Sequence, residues 1–261
     1  MPGGTVRGEG TYISGDDAKC FELARKAVKD DKRMDETLVV VCGNQELSGT
    51  IYLCGTCNLF EPEDWTGRDY ACGPAVAYFL KLDDSFEETA ELLRHEAGGH
   101  GFAKLADEYF YPGVISSTVR DYLVSIAPYR WFSNVDVTSD PSRVKWSAFL
   151  SDNRYKSDGV GVFEGGYTVS NGVWRPSEHS IMDNNSGEFN APSRYIIWYR
   201  IHKLAYGNSW NGTYEDFAAY DAINRKVSLS AAPAPKSGMG VRRIMNHHAP
   251  VVTGRSWREA N

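Results

Sequence analysis

Nowhere in its 261 residues does this chain carry an apolar run near the roughly 20 residues that a helix needs to cross a bilayer. A membrane-spanning helix is therefore not expected. The opening stretch, Met1 to Gly10, lacks the apolar core of a signal peptide. Lys and Arg form no cluster and the formal net charge is −6, which argues against nucleic acid as a partner. Cysteine is scarce, five in all, with a single C-x-x-C at Cys54 and Cys57. Without a second C-x-x-C a structural zinc ribbon is not supported, and no thioredoxin-like context makes the pair a redox motif. The reading left is a local disulfide among Cys54, Cys57 and Cys72, which fits an oxidising compartment. Cys20 and Cys42 fall in apolar patterns and are expected as buried thiols. No internal repeat is visible.

What is present is an ordinary globular composition, with 42% hydrophobic and 24% charged residues, enough to build the core of one domain. That domain is expected over 1–229, with 230–261 (Ala-Ala-Pro-Ala-Pro-Lys-Ser-Gly and beyond) as a linker and poorly ordered tail. The pattern predicts an α+β fold: a small mixed sheet, one helix carrying the motif described next, and a mostly helical C-terminal part. Ser14-Gly-Asp-Asp opens a helix over about 16–30. Thr37 to Gly43 reads as a buried strand, Leu47 to Leu53 as the next, and Ala75 to Leu80 as a third whose edge could take an extended peptide. Ser85-Phe-Glu-Glu88 is a capping box, so a helix starts near Phe86 and ends near Leu105. Further helices are expected near 117–126 and 141–150, from Asn190-Ala-Pro-Ser to about 205, and from Thr213 through Asn224.

The chemistry lies in His95-Glu-Ala-Gly-Gly-His100, followed by Gly-Phe-Ala-Lys-Leu-Ala-Asp107-Glu108-Tyr109. Two imidazoles, a glutamate beside the first and a downstream acidic pair are the ingredients of a zinc hydrolase site. In the common H-E-x-x-H motif the histidines stand at i and i+4 on one helix face. Here they stand at i and i+5, about 500° of rotation, so on a regular helix they would point roughly 140° apart. Either they share no metal, or the helix widens at Ala97 to Gly99 with a local i→i+5 hydrogen bond. Gly98 and Gly99 make such a distortion cheap, whereas a merely packed helix would avoid two glycines that each cost about 1 kcal/mol against Ala.

The motif resembles the H-E-x-x-G-H of the dipeptidyl peptidase III family. Aligned from the right, His100, Phe102, Leu105, Ala106, Asp107, Glu108 and Tyr109 are similar to the H-x-F-x-x-L-A-D-E-Y segment of the IgA peptidase family of zinc metallopeptidases. A second block, Gly161-Val-Phe-Glu-Gly-Gly-Tyr167 and Gly172-Val-Trp-Arg-Pro-Ser-Glu-His-Ser-Ile-Met182, resembles the same family, and the likeness covers roughly 35–205. It implies a metzincin-like catalytic domain with zinc as cofactor, His95, His100 and Asp107 as ligands, and Glu96 as general base. Glu108 and His179 stay open as alternative third ligands. Ser177 to Asp183 looks like a Met-turn, with Met182 as the apolar shelf under the metal. Tyr109, Tyr167 and Arg175, which lie in the matching blocks, are the candidates for binding substrate and oxyanion. Their plain alternative is structural: Tyr109 packing below the motif, and Arg175 pairing with a carboxylate such as Glu178. His202 reads as packing, and His247 and His248 as part of a polar tail.

The expected activity is endopeptidase hydrolysis of protein substrates. An extracellular or cell-envelope location is implied by the resemblance, against the missing signal peptide. Two rivals remain: a catalytically inactive peptidase-like binding module, and a metallopeptidase acting on a peptidoglycan stem peptide. Retention of Glu96, which a mere metal-binding domain does not need, speaks against the first.

Overall fold

The structure is a computed structural model and describes residues 15–44, 55–81, 86–231, 249–253 and 256–258. Asp16 accepts the Lys19 N–H at 3.0 Å and so caps α1 (Asp17–Ala27), which ends three residues earlier than its pattern suggests; α2 (Asp31–Met34) follows. The β-branched run after Thr37 forms β1 (Leu38–Asn44). The sheet continues with β2 (Gly55–Leu59) and β3 (Ala75–Lys81). Their order is β1-β3-β2-β7, where β7 (Val251–Val252) is a short strand from the far end of the chain. β3 runs parallel to β1 and antiparallel to β2.

This order corrects two expectations. β3 is paired on both sides, so it has no free edge for a peptide. Among the described residues β1 is an edge strand instead: Leu38, Val39 and Val41 pack inward on one face or the other, while Val40 (44% exposed) and Cys42 are exposed. Both faces of β1 are thus only partly covered, so its apolar run is not buried throughout. The buried-thiol expectation therefore fails for Cys42 and holds for Cys20. Cys57 and Cys72 are buried free thiols, so the expected local disulfide is not formed. Cys54, the Leu47–Leu53 strand and Ser85 of the capping box lie outside the described residues.

Between the sheet and the rest stands a continuous helix. It opens as α3 (Phe86–Leu93), at the residue expected, and becomes a π-helix over Arg94–Phe102. Small side chains let it lie close to the sheet: Ala75 and Ala77 of β3 and Ala97 of the helix share one core with Trp131 and Phe132. A second sheet, β4 (Phe110–Val114), β6 (Thr168–Arg175) and β5 (Phe163–Gly166) in the order β4-β6-β5, begins three residues past Asp107. Between them come α4 (Ser117–Ile126) and α5 (Ser147–Leu150), the only α-helical part of the expected 141–150 helix.

The C-terminal part is α6 (Ile181–Asn184), α7 (Ala191–Tyr206) and α8 (Tyr214–Ala231). Aromatic side chains of α5, α7 and α8, among them Phe149, Trp198 and Phe217, form its core. Within the 230–261 stretch expected as a linker and poorly ordered tail, Val251 and Val252 instead pair with Asn58 and Leu59 of β2. Trp257 is buried, its Nε1 donating to Asp35 at 2.8 Å. Mixed sheets and helices in this arrangement make the fold α+β. No helix among the described residues is long and apolar enough to cross a membrane.

Candidate metal centre

The i, i+5 spacing of His95 and His100 is met by the backbone itself. Nine residues, Arg94–Phe102, are wound as a π-helix, a longer widening than the Ala97–Gly99 bulge expected. At its end the Ala103 N–H donates to Gly98 O at 3.1 Å, an i→i+5 bond. Such bonds stack residue i+5 one turn above residue i, as an α-helix does for i+4. The two imidazole rings accordingly meet edge to face, with centroids 4.7 Å apart.

Gly99 serves close approach and Gly98 does not. A Cβ on Gly99 would stand 2.4 Å from Met182 Sδ, whereas one on Gly98 would meet only Phe189, at an ordinary 3.7 Å. We therefore expect opposite effects. Gly99→Ala overpacks the Met182 shelf and should destabilise by about 1–3 kcal/mol. Gly98→Ala should be neutral or stabilising by up to about 1 kcal/mol through helix propensity. Urea unfolding of both variants checks this, and equal destabilisation would refute it.

Each histidine is turned by a main-chain carbonyl. His95 Nδ1 lies 2.7 Å from Ile181 O, and His100 Nδ1 lies 2.7 Å from Leu105 O. A carbonyl only accepts, so both Nδ1 atoms carry the proton and donate it, which leaves both Nε2 atoms for another partner. Both Nε2 atoms point at the same oxygen: Asp107 Oδ1 is 3.1 Å from that of His95 and 3.2 Å from that of His100. Two imidazole nitrogens and a carboxylate oxygen that converge in this way could hold a metal ion. All three residues are at most 1% exposed.

The electrostatics demand positive charge at this point. Burial pushes the His100 pKa down, but Asp107 outweighs it and holds the imidazole at about 9. Burial pushes Asp107 up, but His100 and His95 outweigh it and hold the carboxyl well below the usual carboxylate range. A group that draws an extra proton onto an imidazole is equally suited to a cation. Asp107 Oδ2 is buried without a hydrogen-bond partner among the described residues.

Glu96 stands beside this group with both carboxylate oxygens buried and without a hydrogen-bond partner among the described residues. Gly55 at the start of β2 lies against it, where a Cβ would collide with Glu96 Cγ. Burial lifts the Glu96 pKa to about 6, although His95 and His100 pull it down. A carboxylate in that range can take and return a proton near neutral pH.

The adjacent acids have different surroundings. Glu108 makes no contact with the imidazoles. Its carboxylate accepts from Asn134 Nδ2 (2.9 Å), Asn190 Nδ2 (2.9 and 3.0 Å) and Ser180 Oγ (2.7 Å), and burial raises its pKa to about 7. His179 is not part of the group: its side chain is 81% exposed and faces Asp183 at 3.6 Å. Met182 is fully buried under the π-helix.

Of the residues expected to bind substrate, Tyr109 is buried beside Asp107, with burial and then the Asp107 charge raising its hydroxyl pKa far above the ordinary value. Tyr167 is half-buried against Phe132, its hydroxyl pushed up to about 12 by burial and by Asp107. Tyr167 and Thr168 both hold left-handed backbone (φ 49° and 65°), a strained turn that lets the Tyr167 N–H donate to Asp107 O at 2.8 Å. Arg175 differs from its plain alternative: its guanidinium donates to the Glu164 and Gly165 carbonyls at 2.8 and 2.9 Å and stacks on Phe110, so it ties β6 to β5 instead of pairing with Glu178.

Sequence reading missed Asn134 and Ser180 altogether, and took Asn190 only as a helix start. It also missed Lys104, which is buried in left-handed backbone (φ 51°) with Nζ donating to Gly101 O at 2.6 Å at the end of the π-helix. Its only signal was a charge inside an apolar stretch.

No protein-family model matches the chain, and no curated protein matches it.

Proposed function

We propose that this protein is a zinc-dependent endopeptidase with a metzincin-like catalytic domain, holding the metal through His95, His100 and Asp107. The observation that carries the reading is the convergence of two carbonyl-oriented Nε2 atoms on one Asp107 oxygen, with the unpaired Glu96 carboxylate alongside. The Nε2–Oδ1 separations of 3.1 and 3.2 Å are near the edge, ~3.3 Å, of a tetrahedron with bonds of ~2.0–2.1 Å. Bound zinc would supply a Lewis acid and a water of lowered pKa.

The chain's own groups do the rest. A Glu96 oxygen takes the proton of the attacking water and returns it to the leaving nitrogen. The Tyr167 and Tyr109 hydroxyls, both beside Asp107, are the donors for a developing oxyanion. Met182 under Gly99 is the feature that favours the metzincin-like reading within the α+β fold. Protein as substrate and a location outside the cell rest on the resemblance to the IgA peptidase family.

One observation favours the inactive binding module instead. His95, Glu96, His100 and Asp107 are all at most 1% exposed, so peptide can reach them only after the covering segments move. Metal removal separates the two readings. The peptidase should contain one zinc per chain by elemental analysis, lose casein hydrolysis on chelation, and regain it with zinc. Stoichiometric zinc without casein hydrolysis selects the inactive module or an enzyme for another peptide such as a peptidoglycan stem, and a chain that takes up no zinc sinks the zinc-peptidase reading.

A further inference from the structure

We infer that Glu108 is a positioning residue whose carboxylate, clamped by Asn134 and Asn190, fixes two of the three metal-holding side chains at once. The inference rests on the metal centre proposed above.

Glu108 is fully buried, and among the described residues its carboxylate accepts from Asn134, Asn190 and Ser180. Asn134 Oδ1 accepts the Ala106 N–H at 2.8 Å, and Asn190 Oδ1 accepts the Ser193 N–H at 3.1 Å. Both amides are thereby oriented with Nδ2 towards Glu108, and neither can flip without losing a main-chain bond. Ser180 Oγ supplies the third donor at 2.7 Å. Accepting on both atoms, the carboxylate takes Asn134 at Oε1, Ser180 at Oε2 and Asn190 across the two.

The carboxylate reaches His95 through the α6 entry. It holds Ser180 by the side chain, and its own N–H donates to Met182 O at 2.8 Å. Between these two anchors lies Ile181, whose carbonyl orients His95 Nδ1 at 2.7 Å. It reaches Asp107 through the main chain. Asn134 binds both the N–H and the carbonyl of Ala106 at 2.8 Å while bonding Glu108, so both neighbours of Asp107 are pinned. His100 is set separately, by Leu105 O. Groups that orient ligands in this way commonly govern metal affinity.

The test is Glu108→Gln, which keeps the size but puts an NH2 donor in place of one oxygen, against either the two amide donors at Oε1 or the Asn190 amide and the Ser180 hydroxyl at Oε2. Zinc affinity is measured by chelator competition, the cobalt-loaded protein by its visible spectrum, and the metal-free protein by thermal unfolding. The expected result is a folded protein with zinc affinity lowered ~10–100-fold and a shifted cobalt band. Wild-type affinity and spectrum, with only the unfolding temperature lowered, would make Glu108 purely structural and overturn the inference. Complete loss of metal from the folded variant, as for a missing ligand, would overturn it in the other direction.

Should Glu108→Gln fail to fold, Ser180→Ala removes one donor alone. It should weaken zinc by roughly 2–10-fold, a fraction of the full positioning effect; unchanged affinity there overturns the inference. A wild-type protein that binds no zinc fails before any variant is compared, and removes the metal-centre reading and this inference together.

Discussion

Zinc analysis of the His100→Ala protein should return no bound metal, while His179→Ala should hold as much as the wild type. The contrast follows from placement. His100 Nε2 stands 3.2 Å from Asp107 Oδ1 with its Nδ1 proton committed to Leu105 O, whereas His179 is solvent-exposed beside Asp183. Removing one of three protein ligands leaves two, fewer than a zinc site keeps. Asp107→Ala should behave like His100→Ala. Stability gives a second readout. A ligand that binds only the folded state stabilises it by about 2.7 kcal/mol at a hundredfold excess over its Kd. The wild type should therefore melt higher with added zinc, and the His100→Ala protein should show no such rise. Near-stoichiometric zinc in His100→Ala would dissolve the assigned group.

Glu96→Gln should keep its zinc and lose at least about 10²-fold in peptide hydrolysis, the loss expected when a general base is removed. The substitution keeps the volume that Gly55 packs against, so the change is confined to proton acceptance. It also has a stability signature. Burial raises the folded-state pKa of Glu96 from 4.5 to about 6, so ionising it in the metal-free fold is unfavourable. That cost is absent below the unfolded value near 4.5, grows as pH rises towards 6, and is fully present above it. Metal-free Glu96→Gln should thus be more stable than metal-free wild type at pH 7 to 8, by on the order of 2 kcal/mol. The gap should close below about pH 4.5. Turnover at the wild-type rate would remove Glu96 from the mechanism. Glu108 could not easily replace it, since Asn134, Asn190 and Ser180 occupy its carboxylate.

The local chemistry was legible in the chain because it depends on neighbours in sequence. The i, i+5 histidines with two glycines allowed a helix widened by i→i+5 bonds as one of two outcomes, and Asn190-Ala-Pro-Ser marked a helix start, which Asn190 caps by accepting the Ser193 N–H. The hydrophobic periods likewise gave β3 and the end of the chain's helical part. What sequence could not give was anything set by a partner far along the chain. Asp107 and Glu108 are adjacent carboxylates with nothing local to tell them apart. A one-residue step turns one towards His95 and His100 and the other towards Asn134, Ser180 and Asn190, up to 82 residues away. The structural partner expected for Arg175 was a carboxylate such as Glu178, because its actual partners are carbonyls of a strand, which carry no sequence signature. Ala75 to Leu80 read as a possible edge because an apolar run tells that a strand is buried, not which strands flank it. Here β1 and β2 take both of its sides. Burial of Cys57 and exposure of Cys42 were decided in the same way, by which strand lies at the rim. The sequence determined which imidazoles and carboxylates were candidates, with Asp107 preferred through the family resemblance, and the spacing that a widened helix would reconcile. Tertiary packing alone decided which acid joins the two imidazoles, because that choice is made by hydrogen bonds between segments that only the fold brings together.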